Sequence, residues 1–157
     1  MSERTAYFNG EFVDESKVLL NPNDRGFRLG DVVFDVERTF DGKIWRLQQH
    51  MDRLYRSLRY LSIDIGIPKE QMTEITNEVV RRNEPLREPG GDFWVRQFVT
   101  RGIMERGYRA MDAGSPTVCV VMTPIDFGSF ANLYDEGAKV LFPKARAYSS
   151  DSVDPKI

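Results

Sequence analysis

Three polar residues on one helical stretch offer the first chemistry in this sequence. In RLQQHMDRLYRSLRYL, Leu47, Met51, Leu54, Leu58 and Leu61 recur at spacings of four, three, four and three, as one apolar stripe on a helix would. At about 100° per residue, Arg53 falls roughly 120° from the centre of that stripe, with His50 and Ser57 between, on the same flank. The three form a polar seam beside the core, which can face a cleft between the helix and a sheet. An arginine fixed there suits a phosphate, because its planar fork makes two parallel charge-assisted bonds. On pattern alone the same residues also suit a solvated helix face shared with Arg56 and Arg59, and a lone histidine suits a structural hydrogen bond.

The elements that must position this seam follow from periodicity and turn chemistry. Tyr7-Phe8 and Phe12-Val13 flank Asn9-Gly10, a hairpin signal because both turn residues tolerate positive φ. Pro22 to Arg28 is polar and turn-rich and reads as a loop. Val32 to Phe40 alternates, Asp41-Gly42 turns, and Lys43 to Leu47 returns as a second hairpin. After the leucine-striped helix, Pro68 opens another, with Met72, Ile75, Val79 and Val80 as its buried face. Phe93 to Thr100 alternates as a strand. Residues 101–115 read as a long loop. Pro116 to Met122 is a continuous apolar run, expected as a strand buried on both faces. The layout predicts an α+β sandwich over residues 1–122, a linker over 123–136, and new strand-like alternation from Gly137 that starts a second unit over 137–157.

Bulk properties bound the function. The 157 residues are 41% hydrophobic and 29% charged, the balance of a globular protein, with a net charge of −2. That charge and a pI near 5.5 do not favour nucleic acid as a partner. No run of eighteen apolar residues exists, so no membrane span is expected, and MSERTAYFNG lacks the apolar core of a secretory signal. Cys119 is the only cysteine, which excludes an intramolecular disulfide and a cysteine-based zinc cluster and suits a reducing cytoplasm. No metal site is expected.

Four motifs in order give the sequence a resemblance. Gly26-Phe27, Gly30-Asp31 and Phe34 are followed by Asp41-Gly42-Lys43, then by Leu47, His50, Arg53-Leu54 and Ser57, and later by Thr100-Arg101-Gly102. With the closing VDPKI, this order resembles the class IV aminotransferases, the pyridoxal-phosphate enzymes of fold type IV. Branched-chain aminotransferases, D-amino-acid transaminases, (R)-selective amine transaminases and aminodeoxychorismate lyases belong to that group. The resemblance runs from about Tyr7 to the last residue. Leu29 and Asp35 depart from the branched-chain wording, and GDVVFDV with WRL and HMDRL is closer to the amine and D-amino-acid side.

The resemblance implies a two-layer α+β N-terminal domain of a fold type IV enzyme, followed by the start of a second, β-rich cofactor domain. It implies that Arg53 grips the phosphate of pyridoxal 5′-phosphate, that His50 orients, and that Phe34 lines the substrate pocket. Arg96 matches a contact to the substrate carboxylate, and Arg106 is a second choice for that role. The family register makes Lys156 a variable position and puts the cofactor-bearing Schiff-base lysine immediately after Ile157. The implied activity is amino transfer between an amino acid or amine and a 2-keto acid by a ping-pong mechanism, in a cytoplasmic homodimer. Two alternatives stay open: a lyase of the aminodeoxychorismate type, and a non-catalytic α+β domain that binds a phosphorylated ligand through Arg53.

Overall fold

Both predicted hairpin turns form, and both use positive φ at two successive residues. Asn9 and Gly10 join strands β1 (Thr5–Phe8) and β2 (Glu11–Asp14), and Asp41 and Gly42 join β3 (Val32–Phe40) and β4 (Lys43–Ile44). The structure is a computed structural model, and it describes residues 4–104, 109 and 113–142. The chain divides into two units, Met1–Pro124 and Ile125–Ile157.

The first unit holds a six-stranded antiparallel sheet in the order β2-β1-β6-β5-β3-β4, with β5 at Phe93–Thr100 and β6 at Thr117–Pro124. Two helices, α2 (Leu47–Tyr60) and α3 (Lys69–Asn83), cover one face. Their stripes behave as the spacing predicts. Met51, Leu54 and Leu58 from α2 join Met72, Ile75, Val79 and Val80 from α3 against Val33, Val95, Val99, Val118 and Val120 of the sheet. Asn83 fastens α3 to β1: its side-chain oxygen accepts from the Thr5 amide at 2.9 Å and its amide donates to the Thr5 carbonyl at 2.8 Å.

Alternation along β3 sorts its residues. Val33, Asp35, Glu37 and Thr39 are buried on the helix side, while Phe34 and Phe40 are exposed on the other. On β6 the expectation of burial on both faces holds for Thr117 to Val120 and gives way to alternation after that.

Two segments differ from the sequence reading. The stretch read as a loop contains a short helix, α1 (Arg25–Leu29), capped by Asp24 and ended by Gly30 in the left-handed conformation. The stretch read as a linker contains α4 (Gly128–Glu136), in the second unit. There the Ser129 amide donates to Asp126 Oδ1 at 3.2 Å, and Gly137 ends the helix with φ 71°. Residues 137–142 take no strand conformation, and the rest of the segment expected to open a β-rich domain lies outside the described residues. No helix among the described residues is long and apolar enough to cross a membrane.

Candidate functional site

The outer edge of β3 is where the polar seam of α2 meets the sheet. β4 pairs only with Thr39 and Phe40, so among the described residues Val32 to Glu37 have no strand neighbour on that side. Into this gap α2 delivers His50 and Arg53. Arg53 forks onto Asp35: Nε donates to Oδ2 at 2.7 Å and Nη2 to Oδ1 at 2.5 Å. His50 Nδ1 lies 2.7 Å from the same Oδ1. The hydrogen bond to Asp35 outweighs the opposing effect of burial and holds the Arg53 guanidinium more firmly charged than usual. Two directions remain open. Arg53 Nη1 and His50 Nε2 have no partner among the described residues, and their side chains are 37% and 21% exposed. Ser57, expected in the same seam, is buried and makes no side-chain hydrogen bond to this group.

Behind Asp35 lies Glu37, whose side chain is fully buried 4.0 Å from His50 Nδ1. Ligating atoms of Asp35, Glu37 and His50 all fall within 4.8 Å of one another. The positive partner of this acidic pair is the Arg53 side chain. Sequence reasoning missed both carboxylates as site residues. Their signal was parity: they alternate in step with Val33, and acids at the buried parity of a strand need a cationic partner.

Other residues of the motifs, Gly26, Asp31, Thr100 and Arg101, join Asp24 and Arg25 in clamps around the ends of β3 and α2. Asp24 is 1% exposed and accepts from the Gly26 amide at 2.7 Å and from the Thr100 and Thr117 hydroxyls at 2.7 and 2.8 Å. Arg25 and Arg101 both donate to Asp31 Oδ2 at 2.8 Å. Burial pushes the Asp31 carboxyl up, and the bonds from Arg101 and Arg25 outweigh it and hold it below its ordinary value. Arg101 also donates to the Leu61 carbonyl at 2.7 Å, closing the end of α2. There Ser62 takes φ 53°, and the Ser62 and Ile63 amides return to Arg59 and Leu58 as a Schellman cap.

Phe34 and Arg96 come together on the other face of the sheet. Phe34 is opposite Phe98 and Val36 opposite Arg96, so Phe34 and Arg96 are diagonal neighbours, both exposed. Arg53 is on the opposite side of β3, where it meets the buried Asp35. Arg106, Lys156 and Ile157 lie outside the described residues.

The chain is similar to several known proteins. The family model for amino-transferase class IV matches residues 32–157. A Methanocaldococcus jannaschii protein named "Putative branched-chain-amino-acid aminotransferase" is 34% identical over 96% of this chain and 49% of its own length. The aminodeoxychorismate lyase of Bacillus subtilis is 31% identical over 71% of this chain and 37% of its own. Among solved structures, a T.th. branched-chain amino acid aminotransferase complexed with N-(5′-phosphopyridoxyl)-L-glutamate superposes with a TM-score of 0.67 at 25% identity, covering 78% of this chain and 40% of that one. The chain therefore spans about half the length of the archaeal relative and less of the others.

Proposed function

The chain belongs to the class IV aminotransferase family, and from that premise we propose that the full-length protein moves an amino group between an amino acid or amine and a 2-keto acid, with pyridoxal 5′-phosphate as cofactor. The observation that carries this reading is the Arg53–Asp35 fork at the open edge of β3. A phosphate needs a fixed donor beside it, and Arg53 Nη1, left over by the fork onto Asp35, is one. That donor therefore fits the cofactor's phosphate. When bound, the cofactor supplies the carbonyl that takes up the amino group and the ring that holds the electrons.

The chain's own residues supply anchoring and shape. Arg53 holds the phosphate as a fixed pivot, and Asp35 keeps the guanidinium from rotating out of the plane in which it binds. His50 donates from Nδ1 to Asp35 and so orients that carboxylate. On the opposite face, Phe34 shapes the space for a substrate side chain, and Arg96 is the preferred contact for a substrate carboxylate, with Arg106 as second choice. The lysine expected after Ile157, a cofactor domain over 137–157 and beyond, a homodimer and cytoplasmic residence belong to the same proposal.

The experiment compares Arg53→Ala with Arg56→Ala, an exposed residue on the same helix, in the full-length protein. Loss of a charge-assisted hydrogen bond to a phosphate costs on the order of 2–3 kcal/mol. Cofactor affinity should therefore drop roughly 30- to 100-fold in the first variant alone. Equal affinities would remove Arg53 from the phosphate. The similarity to a lyase favours a second reading of the chemistry. Pyruvate release from aminodeoxychorismate, with no amino transfer to any 2-keto acid, would establish it.

A further inference from the structure

Glu37 has no role in the site described so far, and its surroundings are unusual. It leaves β3 on the same side as Asp35, two residues on, and is buried between α2 and β5, with α3 reached through Gln97. Its Oε1 accepts from Gln97 Nε2 at 2.6 Å. That same nitrogen also donates to the Thr76 hydroxyl at 3.2 Å. Glu37 Oε2 and Gln97 Oε1 are both buried and have no hydrogen-bond partner among the described residues. The groups that face Glu37 are the charged Asp35 on its own strand, the charged Arg53 from α2 and the His50 imidazole, also from α2. From β5 it meets the uncharged Gln97, which in turn reaches the Thr76 hydroxyl of α3.

Two buried acceptors without a donor are what a missing proton leaves behind. A proton on Glu37 turns its carboxyl into a donor and removes a second negative charge from beside Asp35. That charge matters to any anion at the seam. Arg53 is already neutralised by Asp35, so an ionised Glu37 leaves the phosphate facing a negative wall. We propose that Glu37 is the positioning residue that sets the charge behind Arg53 and His50, and that a phosphate-bearing ligand binds there with uptake of one proton by Glu37. The proton comes from solvent and converts the carboxylate to the carboxylic acid. Burial first of all, opposed by the Gln97 hydrogen bond and reinforced by the Asp35 charge against that of Arg53, already pushes this carboxyl up to about 7 in the free protein. A bound phosphate pushes it further in the same direction.

This inference rests on Arg53 as the phosphate anchor, and its test separates the two. Pyridoxamine 5′-phosphate, which forms no covalent link to a lysine, is titrated into the full-length protein, Glu37→Gln and Arg53→Ala between pH 6 and 9. Affinities of the first two should agree near pH 6. Above pH 7 the native protein should weaken relative to Glu37→Gln by several-fold, approaching tenfold per pH unit where a whole proton is taken up. The ligand's own ionisation is common to both and cancels in the ratio. In the native protein, infrared difference spectra at pH 8 should gain a carboxylic-acid band on binding, a readout that does not depend on the variant folding. Parallel pH profiles for the native protein and Glu37→Gln, or no carboxylic-acid band on binding, would overturn the role of Glu37 while leaving the anchor intact. Unchanged affinity in Arg53→Ala would overturn the anchor itself.

Discussion

At the scale of single residues, a carboxyl walled in beside another carboxylate makes stability depend on pH. Glu37 is carried from its ordinary 4.5 to about 7 by burial above all. In the unfolded chain it releases its proton first, so between those two values the folded state binds more protons and stability falls as pH rises. The stabilisation of the protonated group is fully present below pH 4.5 and gone above about 7. Glu37→Gln should therefore match the native protein at about pH 4.5 and exceed it at about pH 8 by up to about 3 kcal/mol. Urea midpoints at the two pH values read this directly, and a difference that does not grow with pH would refute it. The sequence made Arg53 visible because a helix repeats every 3.6 residues and its polar flank is easily computed. Asp35 and Glu37 were legible only as parity on β3. Their meaning depends on which helix lies over the strand, and that is a long-range fact that no local pattern carries.

At the scale of elements, the motif glycines and acids act as fasteners, and two of the glycines are there for different reasons. Gly26 lies in the first turn of α1, where a Cβ would collide with the Thr100 methyl and come within 2.9 Å of Thr100 Cβ. Gly30 has open space around it and needs glycine only for its φ of 69°. Gly30→Ala should cost about 1 kcal/mol, and Gly26→Ala about 1–3 kcal/mol through overpacking. Thr100→Ser removes the methyl and keeps the hydroxyl that Asp24 accepts. It should recover part of the second loss and none of the first, as read by thermal unfolding of the double variants. The long helices α2 and α3 were legible because their apolar stripes run over three or more turns. The short α1 was not, since its five residues include a glycine and its cohesion comes from tertiary bonds to Asp24 and Asp31. The helix α4 was hidden in a similar way by Pro124 and Gly128, which read as turn residues.

At the scale of the molecule, all six strands and the whole apolar cluster fall within the unit that ends at Pro124. A chain of residues 1–124 should therefore unfold cooperatively with the circular-dichroism signature of an antiparallel sheet packed on helices. A gradual, structureless melt would show that the core needs residues from beyond Pro124. Within that unit the strands β3 and β5 divide their labour by alternate residues. Positions 33, 35, 37, 95, 97 and 99 are buried on the helix side, while 34, 36, 38, 94, 96 and 98 are partly or fully open on the other. A strand cannot exchange these two sets without slipping its register, which would bring every packed side chain out with it. Heritable variation thus meets two kinds of site in strict turn: one where change costs folding, and one where it alters only the surface presented. A combinatorial library confined to the even-numbered positions can rewrite that surface wholesale, and its members should still fold.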